Sequence, residues 1–136
     1  QAGTAVILVT HDWGVLADLC TRALVMYAGE IVEVAEIDVA VRRPGHPYTA
    51  GLLASNPHYA EPGAPLPQIA GHVPSPTEWP VGCHFQNRCP YATAECAARI
   101  ELLPITVTAA GLSDHLVRCI HTDQVVVPTA VGAGHA

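Results

Sequence analysis

Proline divides this chain more sharply than any other residue type. Nine of its twelve prolines fall between Pro44 and Pro80. Proline fixes φ and lacks the backbone N–H, so neither a central strand nor a long helix can run through such a segment. The sequence therefore predicts a compact region before Pro44 and an extended, surface-hugging loop over residues 56–80. Four of the five cysteines follow that loop.

The compact region alternates strand and helix patterns. Residues 4–10 (T-A-V-I-L-V-T) form a short apolar run, which predicts a strand buried on both faces. Asp12 can cap a helix over residues 12–22, whose apolar side chains recur at helical spacing. Residues 23–27 predict a second buried strand, and residues 31–34 its hairpin partner.

Two apolar strands joined through a helix predict a parallel sheet with one covered face. Two or three strands cannot bury both of their faces by themselves. The first 35 residues therefore look like the end of a larger sheet. Short helices are predicted over residues 37–43, ended by Pro44, and over residues 48–55.

The charged residues of the chain argue against two functions. All six basic residues are arginine, and twelve carboxylates bring the net charge to −6. This balance argues against nucleic-acid binding through a basic patch. Without lysine, the chain cannot hold ATP through a G-x-x-x-x-G-K-[ST] loop. Its longest aliphatic run, residues 5–9, is too short to span a membrane, and no signal-peptide pattern is visible.

The cysteines carry the strongest chemical signal. Cys20 lies on the apolar face of the first predicted helix and is expected to be a small buried hydrophobe. The others follow the pattern C-x5-C-x6-C-x22-C: Cys83, Cys89, Cys96 and Cys119. Two disulfides, a zinc site and an iron–sulfur cluster are all open. His84, His115 or His121 could serve as zinc ligands, while the wide spacing modestly favours the cluster.

Three ordered blocks resemble one protein family. Residues 6–15 (V-I-L-V-T-H-D-W-G-V), with the hairpin of residues 25–33, resemble the switch-histidine region of ABC-transporter ATPases. Residues 44–53 resemble the P-x-H-P-Y-T-x-G-L-L motif of the oligopeptide/dipeptide importer branch. Residues 82–92, with Cys96 and V-R-C at residues 117–119, resemble the cysteine signature of that branch's C-terminal extension.

The resemblance implies an α/β fold in two parts. Residues 1–35 would be the end of a RecA-like (P-loop NTPase) ABC ATPase domain, and residues 36–136 an irregular, cysteine-rich extension. In the family, four ATP-binding elements precede the T-H-D motif, which is residues 10–12 here: the phosphate-binding loop, the Q-loop, the signature and the Walker B strand. All four are absent from this sequence. The chain is thus expected to be the C-terminal fragment of a longer ATPase and inactive alone.

The resemblance also implies site residues and cofactors. His11 would be the catalytic switch residue, contacting the γ-phosphate of ATP and helping to order the attacking water. ATP with Mg²⁺ would be bound in the full-length context. Cys83, Cys89, Cys96 and Cys119 would hold a [4Fe-4S] cluster, with zinc as the alternative.

The implied function is coupling of ATP hydrolysis to peptide import. The protein would lie peripherally on the cytoplasmic face of the membrane, against permease subunits and a second, identical or different, ATPase subunit. A substrate-binding protein would take part indirectly, and nucleic acid would not. The alternative is a free-standing metal- or Fe–S-binding interaction module without ATPase activity.

Individual residues near these motifs have simpler expected roles. Asp12 is expected to be a helix cap rather than a catalytic acid. His46 and Tyr48 are expected to be structural, and Phe85 to cover the cysteine site from water. Arg88 could donate toward a cluster's negative charge or be a solvated surface residue; both remain open.

Overall fold

A computed structural model describes residues 3–57, 63, 65–105, 107–108, 111–112 and 114–126. It is a mixed α/β structure. The helices are α1 (Trp13–Leu19), α2 (Ile37–Arg42) and α3 (Pro47–Ala54), with short 3-10 helices at Pro76–Glu78, Gln86–Arg88 and Ala94–Ala97. The strands are β1 (Arg22–Tyr27), β2 (Glu30–Glu36), β3 (Leu103–Pro104), β4 (Val107–Thr108), β5 (Gly111–Leu112) and β6 (Leu116–Val117).

The main sheet joins a hairpin near the start of the chain to two short strands that follow the cysteine segment. Its strand order is β1-β2-β6-β3, and β4 and β5 form a separate pair. The predicted hairpin is confirmed and both strands are longer than expected. Ala28 and Gly29 turn it with positive φ values of 43° and 79°, the conformation that two-residue hairpin loops require. The predicted parallel sheet is wrong, because every described strand pair is antiparallel.

The segment before α1 also differs from its prediction. Residues 4–10 are not a strand, and Val6, Ile7 and Val9 are 80%, 92% and 92% exposed. A strand buried on both faces needs hydrogen-bonded neighbours at its edges and packed layers above and below. None of the described residues supplies them, so the apolar run stays extended and uncovered.

The helices begin and end where local chemistry dictates. Asp12 caps α1, accepting hydrogen bonds from the N–H groups of Gly14 (2.8 Å) and Val15 (3.3 Å). This confirms the expected cap, although α1 stops at Leu19, three residues early. In α3, Pro47 occupies the first turn and His46 is the N-cap, with Nδ1 accepting from Tyr48 N–H at 3.0 Å.

One core joins the hairpin to the cysteine segment. The inward side chains of β1, including Val25 and Tyr27, pack with Leu53 of α3 and with Cys83 and Phe85. The outward face of β1 is uncovered, with Leu24 and Met26 exposed. None of the helices described here is long and apolar enough to cross a membrane.

Candidate functional site

Three of the four clustered cysteines lie on one compact loop unit. Cys83 donates its backbone N–H to the carbonyl of Cys96 at 2.8 Å, which closes the loop. The unit turns through two 3-10 helices, Gln86–Arg88 and Ala94–Ala97. Gly82 passes so close that a Cβ there would overlap the backbone of Cys96 and Ala97. Glycine is therefore required where this loop closes.

Cys119 reaches the same place from another direction. It follows β6 and Arg118, and is partly buried, as is Cys89, while Cys83 and Cys96 are buried. Burial, together with a smaller effect of the other three cysteines, raises the pKa of the Cys119 thiol to about 11. The four cysteines that the sequence pattern singled out therefore lie within electrostatic range of Cys119.

Backbone N–H groups point at three of these sulfurs. They belong to residues that follow each cysteine: Phe85 and Gln86 for Cys83, Tyr91 for Cys89, and His121 for Cys119. The His121 N–H lies 3.3 Å from the Cys119 sulfur. These contacts lower thiol pKa values, but burial outweighs them, so the pKa values of Cys83 and Cys89 are raised. N–H···S contacts stabilise the thiolate form of cysteine, which is the form that binds a metal cation.

All five cysteines are free thiols, which contradicts the disulfide alternative. In the parts of the chain that the structure describes, no three His, Cys, Asp or Glu side chains gather closely enough to hold one metal ion. The imidazole rings of two histidines considered as zinc ligands contact oxygen atoms. His84 Nδ1 lies 2.8 Å from the carbonyl of Ala28, and His121 Nε2 lies 3.1 Å from Thr93 Oγ1.

His115, the third of those histidines, belongs to a buried polar network centred on Glu33. Glu33 is fully buried on β2, and its Oε1 lies 2.7 Å from His115 Nε2. The carboxylate also accepts the N–H groups of Gly45 (2.8 Å) and His46 (3.0 Å). Sequence patterning missed this network, because Glu33 looked like an ordinary polar residue of a hairpin. Its only signal is a carboxylate between apolar strand neighbours.

Arg88 does neither of the things predicted for it. Its guanidinium donates to the carbonyls of Ala70 (2.8 Å) and Ile69 (3.0 Å), and to Tyr27 Oη at 3.3 Å. It also lies over the rings of Tyr27 and Phe85. Arg88 therefore ties the proline-rich segment, through the carbonyls of Ile69 and Ala70, to Tyr27 of β1.

Phe85 and His46 form the centre of the aromatic core. Phe85 is buried and packs edge-on against Tyr27, with Tyr48 and His46 at tilted angles. Burial lowers the pKa of His46 to about 4, although the Glu33 carboxylate partly offsets this. His46 is therefore a neutral capping residue at physiological pH, in line with the structural role expected of it.

His11 lies apart from this centre, exposed between the extended segment and α1. Its neighbour Asp12 is committed to capping α1. The role of His11 as switch residue stays a prediction, as does the role of the cysteines as metal ligands.

Comparison with known proteins identifies the class as ATP-binding proteins of peptide ABC transporters. Residues 32–96 match the family described as oligopeptide/dipeptide transporter, C-terminal region. A probable peptide ABC transporter ATP-binding protein of Sinorhizobium fredii is 47% identical over 104 residues, covering 76% of this chain and 31% of the relative. A probable D,D-dipeptide transport ATP-binding protein of Escherichia coli is 39% identical over 126 residues, covering 93% and 37%.

A third relative extends the comparison to oligopeptides. The oligopeptide transport ATP-binding protein OppD of Salmonella typhimurium is 43% identical over 96 residues, covering 71% of this chain and 29% of the relative. The chain belongs to the oligopeptide/dipeptide transporter family of ATP-binding proteins, which confirms the resemblance drawn from its motifs. It spans about a third of the length of the curated relatives it matches.

Proposed function

We propose that this chain is part of the ATP-binding subunit of an ABC importer that couples ATP hydrolysis to peptide uptake. The observation that carries the proposal is the family match, which runs from residue 32 in β2 through α2 and α3 to Cys96 and includes three of the four clustered cysteines. The uncovered apolar surfaces support it: residues 4–10 and the outer face of β1 suit burial inside a larger RecA-like sheet. The remainder of the subunit would provide that sheet, together with the residues that hold ATP and Mg²⁺.

Several wider features follow from this proposal. The subunit would work on the cytoplasmic face of the membrane against permease subunits, paired with a second ATPase subunit. His11 would contact the γ-phosphate there. A free-standing metal-binding interaction module is the second candidate, favoured by the packing of Cys83 and Cys96 in the core with Phe85 and the hairpin.

A His11→Ala substitution in the complete ATPase tests the first proposal. We expect ATP turnover to fall about 100-fold with little change in ATP affinity, because the imidazole would matter most as charge develops on the transferring phosphoryl group. Steady-state hydrolysis and nucleotide-binding titrations measure the two quantities. His72→Ala, a change at an exposed loop residue, is the matched control. Unchanged turnover in the His11 variant would contradict the proposed switch role.

We also propose that Cys83, Cys89, Cys96 and Cys119 hold a [4Fe-4S] cluster, with zinc as the alternative. One Zn²⁺ with bonds of about 2.3 Å would need its sulfurs within about 4 Å of each other. No such grouping occurs among the described residues, although the other three cysteines contribute to raising the pKa of Cys119. Four thiolates are the usual ligand set of an iron–sulfur cluster, and the N–H groups aimed at the sulfurs suit anionic ligands. Such a cluster could supply cross-linking or one-electron chemistry.

Anaerobic expression with iron supplied tests the cysteine centre. The chain should purify brown, with broad absorbance near ~400 nm from thiolate-to-iron charge transfer. Replacing any of the four cysteines with serine should remove the colour. Cys20→Ser is the matched control, because Cys20 lies beside α1 and should leave the spectrum unchanged. A colourless chain holding one equivalent of zinc would contradict the cluster.

A further inference from the structure

Cys119 is the one clustered cysteine outside the loop unit. Cys83, Cys89 and Cys96 lie on a segment closed by its own backbone hydrogen bonds. Cys119 follows Cys96 by 23 positions, after β6. That strand has two residues, which pair with Glu33 and Val34 on one side and with Leu103 and Pro104 on the other. So short a strand fixes the position of Cys119 weakly by itself.

Arg118 adds the missing constraints directly before Cys119. Its backbone N–H donates to the carbonyl of Val32 at 2.8 Å. Its Nε donates to the carbonyl of Ile31 at 3.0 Å, and its Nη1 to the carbonyl of Ile100 at 2.7 Å. The guanidinium thus bridges β2 and the chain that leaves the loop unit four residues after Cys96.

The side of β6 away from Cys119 is fastened as well. His115 lies against the buried Glu33 carboxylate at 2.7 Å. The two-residue strand is therefore held at its start by the contact of His115 with Glu33 and at its end by the hydrogen bonds of Arg118. A planar guanidinium suits this task, because its donors lie in fixed directions and can reach two carbonyls at once.

We propose that Arg118 is a positioning residue for Cys119: by bridging β2 and Ile100, it holds the fourth sulfur at the cysteine centre. The contribution to metal binding rests on the proposed function. The positioning of the thiol does not, and it can be measured in the metal-free chain.

The first test measures thiol reactivity in the metal-free chain. Arg118→Gln should make Cys119 react at least several-fold faster with a maleimide, since an untethered thiol is exposed more of the time. Cys83 and Cys96 should react at rates within about two-fold of the unmodified chain, because their loop closes without Arg118. Peptide mass spectrometry after timed labelling gives the rate at each cysteine.

The second test measures iron in the anaerobically loaded chain. Ferricyanide takes one electron from a [4Fe-4S]²⁺ cluster, and a weakly held Fe²⁺ can then leave to give [3Fe-4S]⁺; the freed thiolate takes a proton from water. Arg118→Gln should speed loss of this one iron several-fold, because only the iron bound by Cys119 is loosened. Iron assay and the paramagnetic resonance of the three-iron product are the readouts.

Two further variants separate positioning from general stability. Arg99→Gln is the matched control, because Arg99 pairs with Glu101 at the surface and should change neither rate. Arg118→Lys keeps the charge but reaches one carbonyl, so its rates should fall between those of the unmodified chain and Arg118→Gln.

Two outcomes would overturn the inference: a Cys119 rate unchanged in Arg118→Gln, or equal acceleration at all four cysteines in both Arg118 variants. A chain that binds no iron but shows selective acceleration at Cys119 would refute the proposed metal centre and support the positioning role.

Discussion

A Glu33→Ala substitution is expected to lower the free energy of unfolding by about 3–5 kcal/mol, because it leaves several buried hydrogen-bonding groups without a partner. The Glu33 carboxylate is fully buried and accepts two backbone N–H groups, from Gly45 and His46, besides its contact with His115. Those buried donors would have no replacement. Urea unfolding followed by circular dichroism measures the loss as a shift in midpoint at constant slope.

Glu36→Ala is the matched control for this prediction. Glu36 is an exposed carboxylate at the end of the same strand, β2. Its removal should change the free energy of unfolding by less than about 0.5 kcal/mol, as is usual for a surface position. Equal losses in the two variants would show that the buried network does not stabilise the fold.

Acid should destabilise the chain through His46 by about 3 kcal/mol between pH 6.5 and pH 4. Burial lowers the pKa of His46 to about 4 in the folded chain, from 6.5 for a solvent-exposed imidazole. Between these values the unfolded chain binds more protons, so the free energy of unfolding rises with pH. The contribution of neutral His46 to the free energy of unfolding is complete above pH 6.5 and is lost as the pH falls toward 4.

His46→Asn isolates that contribution, because an asparagine oxygen can still cap α3 but does not titrate. Urea midpoints from pH 7 to pH 4 should fall less steeply in this variant than in the unmodified chain. His72→Asn, at an exposed position, should leave the pH dependence unchanged. Parallel pH profiles for the unmodified chain and His46→Asn would contradict a buried neutral imidazole.

Local chemistry made part of this fold predictable. Asp12 capping α1, the β1–β2 hairpin and the end of α2 before Pro44 each depend on a few neighbouring residues. Residues 4–10 failed because their pattern describes a strand inside a sheet, and burial depends on partners that the pattern cannot provide.

The candidate site divides in the same way. Cysteine spacing alone selected four residues that the fold then brings together. The partners of Glu33 and Arg118 escaped notice because they lie far away along the chain: Glu33 meets His115, and Arg118 reaches the carbonyl of Ile31. A single sequence carries no signal for such distant pairs when one member is a backbone carbonyl.

The separation of Glu33 from His115 also sets an order of events during synthesis. The two residues are 82 positions apart. At roughly 5–20 residues per second, a ribosome delivers His115 about 4–16 s after Glu33. Hairpin formation takes microseconds, so β1 and β2 can pair long before that. During the interval the Glu33 carboxylate can accept from the N–H groups of Gly45 and His46, but His115 is still missing from the network. The newly made chain therefore completes the Glu33 network only after His115 has left the ribosome.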